Sequence, residues 1–152
     1  MTKAVFLDRD GVLNKEIGTY VYKSDDFEFN FEIIEKLKIL KSEGFIFIVI
    51  SNQGGIAKGL YTKADVEILN EIIQTELAKE DLKITEFYYC PHHPDFGNCI
   101  CRKPNTSLLE RAIARFDIDI SKSFFVGDMQ RDVDCAQNIG LRAVKIEANK
   151  KW

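Results

Sequence analysis

The sequence predicts an α/β fold built on a parallel sheet of about five strands. Two observations lead to this prediction. Short apolar runs alternate with stretches of helical periodicity along the 152 residues. Most of these runs are continuously apolar, which is typical of strands that helices cover on both faces. Right-handed crossovers through the helices would then keep the strands parallel.

Five short apolar runs supply the predicted strands. In chain order they are residues 4–7, 45–50, 87–89, 124–126 and 143–146. The longest of them is far too short to span a bilayer, so we expect no membrane partner. The start, MTKAVFLD, enters the first strand directly and leaves no room for a signal peptide. We therefore expect a cytoplasmic protein.

The first two predicted helices lie on either side of the second strand. Residues 31–43 have an apolar face, and Gly44 fits the C-terminal stop of that helix. The next helix opens with TKAD, where Thr62 and Asp65 form a candidate capping box. Its apolar stripe continues as far as Leu77.

The last two predicted helices lie on either side of the fourth strand. Ser107 and Glu110 offer a cap for a helix over residues 108–116. The final helix is predicted over residues 132–139 and stops at Gly140.

Two long stretches, residues 14–30 and 91–105, lack good periodicity. Loops of this length in a compact domain are usually functional or disordered. In an open parallel sheet, ligands bind beyond the carboxyl ends of the strands. The residues that follow each strand are therefore the candidates for a functional site.

Polar side chains follow four of the five predicted strands. They are Asp8 and Asp10 after the first, SNQGG at 51–55 after the second, Lys103 beyond the third, and Asp128 and Asp132 after the fourth. Converging carboxylates repel one another and raise their own pKa values unless a cation compensates them. Magnesium binds in this way, through one or two carboxylates together with substrate phosphate.

Each motif taken singly has an ordinary structural interpretation. DRDG is also a common turn sequence, and GDMQRD could be a helix cap. A calcium loop is a poor fit, because Leu13 and Thr19 stand where an EF-hand needs glycine and glutamate. Ser51 alone could be a strand-end hydroxyl, and Lys103 alone a solvated lysine. Their occurrence together after successive strands favours one site.

In this order, DRDG, Ser51, Lys103 and GDxxxD resemble the four motifs of the haloacid dehalogenase (HAD) superfamily of phosphotransferases. The resemblance implies a HAD-like Rossmannoid three-layer sandwich with strand order 3-2-1-4-5. The chain has no space for an inserted cap domain. We therefore expect a capless, single phosphatase domain over residues 1–152, with a zinc-binding loop at 90–101.

The resemblance also implies a mechanism. Asp8 would be the nucleophile and form an aspartyl-phosphate, while Asp10 would serve as general acid and then general base. Ser51 and Lys103 would bind the phosphoryl oxygens.

The same resemblance implies a magnesium site. The Asp8 carboxylate, the backbone carbonyl of Asp10 and Asp128 would hold the catalytic Mg²⁺. Asp132 would orient Lys103 or a metal-bound water.

The segment CPHHPDFGNCICRKP carries three thiols and an imidazole in a dozen residues. Disulfides are not expected, because nothing indicates export and thiols stay reduced in the cytoplasm. Cys90, His92, Cys99 and Cys101 would make a closed tetrahedral zinc site, which has no open position for catalysis. His93 is the competing ligand, and the spacing alone does not choose between the two histidines.

This loop resembles that of heptose-1,7-bisphosphate phosphatases and the related histidinol-phosphate phosphatases, whose four zinc ligands match Cys90, His92, Cys99 and Cys101. The implied substrate contacts are Glu16, Gly18, Thr19, Tyr20, Asn52, Gln53, Gly54 and Arg102. The guanidinium of Arg102 could hold a second phosphate, which favours a sugar bisphosphate. Met129 departs from the pattern, since the heptose enzymes commonly have a substrate-contacting lysine there.

Three functions stay under consideration. The first is a magnesium-dependent sugar-bisphosphate phosphatase, a monomer acting on a small-molecule sugar phosphate. The second is a phosphatase for histidinol phosphate or nucleic-acid 3′ ends. The net charge of −3 counts against a nucleic-acid partner, because binding phosphate backbones requires a high density of Lys and Arg. The third is a non-catalytic, zinc-stabilised binding module.

Overall fold

The computed structural model describes residues 1–151. Five strands form one parallel sheet in the order β3-β2-β1-β4-β5. The strands are β1 (Lys3–Leu7), β2 (Phe45–Asn52), β3 (Glu86–Cys90), β4 (Phe124–Gly127) and β5 (Arg142–Lys145). The helices are α1 (Ile34–Ser42), α2 (Lys63–Ala78), α3 (Ser107–Phe116) and α4 (Gln130–Gln137). All five predicted strands and the predicted strand order are confirmed.

The sheet is the middle of three layers. Along β1, Val5 and Leu7 belong to a core layer that includes residues of α1 and α2. Ala4 and Phe6 belong to the opposite layer, which includes residues of α3 and α4. Successive side chains of a strand point to opposite faces, so a continuously apolar strand fills both layers. The predicted three-layer sandwich is confirmed.

Capping decides where α1 and α2 begin. The predicted helix over residues 31–43 opens instead as a 3-10 turn, Phe31–Ile33, whose Glu32 N–H donates to the Asn30 side chain. The α-helix itself starts at Ile34. The capping box of α2 is confirmed, since Thr62 and Asp65 exchange hydrogen bonds of 3.2 and 2.8 Å.

The starts of α3 and α4 correct the predictions from sequence. The predicted Ser107 cap is wrong: Ser107 is the first helical residue, and Thr106 precedes it, donating to the Glu110 carboxylate at 3.1 Å. Helix α4 begins at Gln130, two residues before the predicted start. The reason is that the Asp132 carboxylate accepts a hydrogen bond from the Met129 N–H at 3.1 Å and so caps an earlier turn.

The two long loops contain only short 3-10 turns, Ser24–Asp26 and Pro94–Phe96. The two ends of the first loop are joined by an antiparallel bridge between Asn14 and Phe29. The second connects β3 to α3 and carries the cysteines. Within residues 1–151, no helix has the length and apolarity needed to cross a bilayer.

Candidate active site

The candidate site lies at the carboxyl edge of the sheet, with Lys103 at its centre. The Lys103 Nζ lies 3.1 Å from Asp8 Oδ1 and 2.7 Å from Asp132 Oδ1, and it donates to the Ile50 carbonyl at 2.7 Å. Lys103 is only 1% exposed. A lysine is buried in this way only when it is paired. The loop after β3 therefore places the ammonium group of Lys103 between the ends of β1 and β4.

Three carboxylates surround this lysine. Oxygens of Asp8, Asp128 and Asp132 all lie within 4.8 Å of one another. Burial, followed by the charge of Asp132, raises the pKa of Asp8 to about 8 against the opposing effect of Lys103. Burial and Asp132 also raise the pKa of Asp128, whose Oδ1 is buried without a hydrogen-bond partner. Hard oxygen ligands short of positive charge fit a magnesium ion.

Two glycines allow these carboxylates to reach their positions. A Cβ on Gly11, which has φ +86°, would lie 2.4 Å from Asp128 Oδ2. A Cβ on Gly127 would lie 2.3 Å from Asp132 Oδ2. The glycines of DRDG and GDMQRD are thus needed because acidic side chains pack directly against the backbone.

The side chain of Asp10 lies outside this cluster of three carboxylates. Its Oδ1 accepts from Arg9 and Asn14, each at 3.0 Å, and its Oδ2 accepts from Gln53 at 3.0 Å. Although burial opposes it, the charge of Arg9 and these hydrogen bonds hold the pKa of Asp10 below its ordinary value. Arg9 is only 1% exposed and also donates to the Val21 carbonyl. The environment of Asp10 therefore favours its carboxylate form, whereas the environment of Asp8 raises the pKa of that group.

Sequence reasoning missed Arg9 and Asn14 because neither belongs to the motif positions it used. The available signal was the position of Arg9 between the two aspartates. An arginine directly after a strand that is predicted to be buried needs a carboxylate partner, and Asp10 is adjacent to it. Tyr61 was also missed: its hydroxyl donates to Gln53 Oε1 at 2.8 Å, and its ring stacks on Tyr22 with centroids 5.1 Å apart. Gln53, predicted to contact substrate, thus also holds Asp10 and the Ser51 hydroxyl, at 3.0 and 2.7 Å.

Two adjoining cavities open beside Asp10. One of about 360 Å³ is lined by Asp10, Glu16, Gly18, Thr19, Tyr20, Val21, Asn52, Gln53 and Arg131. The other, of about 370 Å³, is lined by Asp8, Asp10, Glu16, Asn52, Asp128, Met129, Arg131 and Ala148. Six of the predicted substrate contacts therefore lie together. They come from the loop over residues 14–30, here called the flap, and from the end of β2. Arg131 joins them in both cavities and was not predicted.

The other two predicted substrate contacts, Gly54 and Arg102, do not line these cavities. The Arg102 guanidinium donates to the His92 carbonyl at 3.3 Å. A Cβ on Gly54 would lie 3.0 Å from that guanidinium. Both residues therefore lie where the SNQGG turn meets the cysteine loop.

The cysteine loop brings four candidate metal ligands together. The Sγ atoms of Cys90, Cys99 and Cys101 and the Nδ1 of His92 all lie within 4.8 Å of one another. His93 is outside the cluster, because its Nδ1 accepts from the Asp95 N–H at 3.2 Å. Burial, followed by a hydrogen bond with Cys101, raises the pKa of the Cys90 thiol. Thiolates in this arrangement need a cation, and the donor set and its geometry fit zinc.

The cluster is tied to the candidate active site through Asn52. The Asn52 Oδ1 accepts from the Lys103 N–H at 2.9 Å, and its Nδ2 donates to the Lys103 carbonyl at 3.2 Å. Cys101 lies two residues before Lys103, so the loop and the end of β2 together set the lysine backbone. Cys135 is buried in α4 and takes no part in the cluster, as predicted.

Comparison with known proteins identifies the family. A family model described as polynucleotide kinase 3 phosphatase matches residues 3–142. The chain belongs to this family of HAD-type phosphatases. The predicted recognition of the superfamily, and of a phosphatase, is confirmed.

Individual relatives are similar to this phosphatase over most of its length. It is 40% identical over 149 residues to the D-glycero-beta-D-manno-heptose-1,7-bisphosphate 7-phosphatase of Escherichia coli (strain K12), covering 93% of this chain and 78% of the relative. It is 41% identical over 140 residues to the corresponding alpha-heptose enzyme of Campylobacter jejuni, covering 92% and 79%. A solved D,D-heptose 1,7-bisphosphate phosphatase from B. bronchiseptica, complexed with magnesium and phosphate, is similar with a TM-score of 0.86 and 29% identity, covering 93% and 79%.

Proposed function

We propose that this phosphatase removes the 7-phosphate of D-glycero-D-manno-heptose 1,7-bisphosphate, using Mg²⁺ and an aspartyl-phosphate intermediate. The observation that carries the reaction type is the buried Lys103, ion-paired with both Asp8 and Asp132 beside Asp128. The names of the relatives support the substrate. They include both anomers, so the proposal covers the heptose bisphosphate without choosing one.

In the first step an Asp8 carboxylate oxygen forms a bond to the 7-phosphorus as the bond from phosphorus to the sugar oxygen breaks. That oxygen leaves as a hydroxyl with a proton from Asp10. Lys103 and the Ser51 hydroxyl bind the phosphoryl oxygens as charge shifts onto the departing oxygen. Asp8, the Asp10 carbonyl and Asp128 would hold the magnesium ion, which would supply positive charge at the phosphoryl group when bound. Asp132 holds Lys103 in place through their 2.7 Å ion pair.

Asp10 has two tasks in this scheme, and the structure favours one of them in the free protein. As a carboxylate held by Arg9, Asn14 and Gln53, it is ready to accept a proton from the water that hydrolyses the intermediate. To protonate the departing sugar oxygen, Asp10 has to take up a proton from solvent first. We infer that Asp10 becomes protonated only in the substrate complex.

The cysteine cluster would hold a structural Zn²⁺ through Cys90, His92, Cys99 and Cys101. Since all four positions come from protein, none is left for substrate. We further propose that residues 1–152 form one domain that acts as a monomer on a small sugar phosphate. A nucleic-acid substrate is not expected, because the net charge is −3.

The substrate proposal is tested by phosphate release from three esters. We expect the highest kcat/KM for heptose 1,7-bisphosphate, by about tenfold or more over histidinol phosphate and a 3′-phosphorylated oligonucleotide. Preference for histidinol phosphate would keep the reaction and change the substrate. Preference for the oligonucleotide would agree with the description of the family model and overturn the sugar proposal.

Magnesium should stabilise the protein more as the pH rises. Since the pKa of Asp8 is raised from 3.8 to about 8, the folded state binds the extra proton between those values. The metal-free protein should therefore lose stability as pH rises through that window, and magnesium should restore it. The apparent affinity of the protein for magnesium should increase by up to about tenfold per pH unit, because one proton leaves Asp8 as the metal binds. Thermal unfolding with and without magnesium, at constant zinc, measures this effect.

Asp8→Asn removes the titrating group and provides the matched variant for this measurement. Its stabilisation by magnesium should be weak and should vary much less with pH. A wild-type response that is flat with pH would contradict a magnesium site that includes Asp8.

A further inference from the structure

Arg131 is the one cation among the described residues that line the two cavities beside Asp8 and Asp10. Arg131 is the second residue of α4 and lines both cavities. The two cavities also share Asp10, Glu16 and Asn52. The two cavities therefore adjoin, and together they extend from the predicted nucleophile to the flap.

The neighbouring cations are already engaged within the protein. Lys103 pairs with Asp8 and Asp132, and Arg9 donates to Asp10 and to the Val21 carbonyl. The buried Nε of Arg131 has no hydrogen-bond partner in the described part of the chain, and the same is true of Arg9 Nε and Nη1. Arg131 differs from Arg9 in that it lines the two cavities, where a ligand can reach it. A buried guanidinium nitrogen without a partner costs stability unless a ligand accepts from it.

A sugar bisphosphate brings two anionic groups, and only one of them can occupy the site at Lys103. The other has to find positive charge within reach of the cavities. Met129, which is exposed and also lines this space, carries no charge. A guanidinium suits the task because it can donate two parallel hydrogen bonds to one phosphate.

We propose that Arg131 binds the second phosphate of the substrate and makes this protein selective for bisphosphates over monophosphates. This inference rests on the proposed function in taking a sugar bisphosphate as the substrate. It gives α4 two tasks: Asp132 orients Lys103 at the reacting phosphate, and Arg131 holds the phosphate that stays on the sugar.

A different role for Arg131 has to be separated from this one. The guanidinium interacts electrostatically with Asp128. If it served only to hold that carboxylate, its loss would weaken every phosphate ester equally. A pair of ligands that differ by one phosphate distinguishes the two roles.

The experiment measures binding, so it does not depend on turnover. Calorimetry on Asp8→Asn protein, at a magnesium concentration high enough to saturate its weakened site, compares heptose 1,7-bisphosphate with heptose 7-phosphate. Adding Arg131→Gln should reduce affinity for the bisphosphate by about tenfold to a hundredfold and leave the 7-phosphate nearly unchanged. Arg131→Lys should recover part of the difference. Arg111→Gln, an identical change on the exposed face of α3, is the control and should change neither.

An equal loss for both ligands would overturn the proposal in favour of the Asp128 role. Unchanged affinity for both ligands in Arg131→Gln would overturn it outright. Collapse of the ratio in Arg102→Gln instead would assign the second phosphate to Arg102. The proposed function is tested separately, by measuring hydrolysis of heptose 1,7-bisphosphate by the wild type. If the wild type fails to hydrolyse the bisphosphate while Arg131→Gln still removes the preference in binding, the proposed substrate is wrong and the anion site stands.

Discussion

Replacing Asp8 by asparagine should reduce turnover of heptose 1,7-bisphosphate by at least about 10⁴-fold, because no other group can form the covalent intermediate. An amide is a poor nucleophile, and it removes the negative charge that Lys103 neutralises at 3.1 Å. The fold should survive, since asparagine has the same shape and burial raises the pKa of Asp8 in any case. Phosphate release, with circular dichroism as a check on folding, measures the effect.

Asp10→Asn separates the two chemical steps. With p-nitrophenyl phosphate, whose leaving group departs without protonation, it should release a burst of p-nitrophenol stoichiometric with protein and then slow down. The burst reports formation of the aspartyl-phosphate, and the slow phase reports its hydrolysis without a general base. Asp8→Asn should show no burst. Asp25→Asn, an exposed change in the flap, should behave as wild type. Turnover by Asp8→Asn within tenfold of wild type would contradict the covalent mechanism.

Loss of one zinc ligand should cost both stability and activity. Cys99→Ser should abolish stoichiometric zinc and lower the free energy of unfolding by about 3 kcal/mol or more, since metal binding contributes to folding. In a chain of this length, that loss lowers the melting temperature by roughly 6–12 °C. Activity should fall as well, because the loop carries Lys103 only two residues beyond Cys101. Elemental analysis, thermal unfolding and phosphate release measure the three effects.

Cys135→Ala is the matched control, since this buried cysteine lies outside the cluster. It should keep full zinc and cost about 1 kcal/mol through the small cavity it leaves. His92→Ala and His93→Ala test the choice of histidine: only the first should lose zinc. Full zinc content in Cys99→Ser, or loss of zinc in His93→Ala with retention in His92→Ala, would contradict the ligand set.

Much of the fold could be predicted because its signals are local. A continuously apolar strand requires cover on both faces, and the strands with their helices could be read in order along the chain. The starts of α3 and α4 could not, since a cap depends on which hydroxyl or carboxylate reaches a free N–H. Thr106 pairs with Glu110, and Asp132 reaches the Met129 N–H. Those contacts depend on backbone geometry that periodicity does not report.

The sequence by itself determined which residues meet at the carboxyl edge, because parallel strands bring their following residues together. Tertiary structure alone decided which of those side chains contact one another. Asp8 joins Asp128 and Asp132, while the Asp10 side chain turns toward Arg9, Asn14 and Gln53. It also decided that His92, and not His93, joins the thiols, and that Arg131 reaches the cavities. These outcomes depend on side-chain direction and on partners distant in sequence, and no local pattern encodes either.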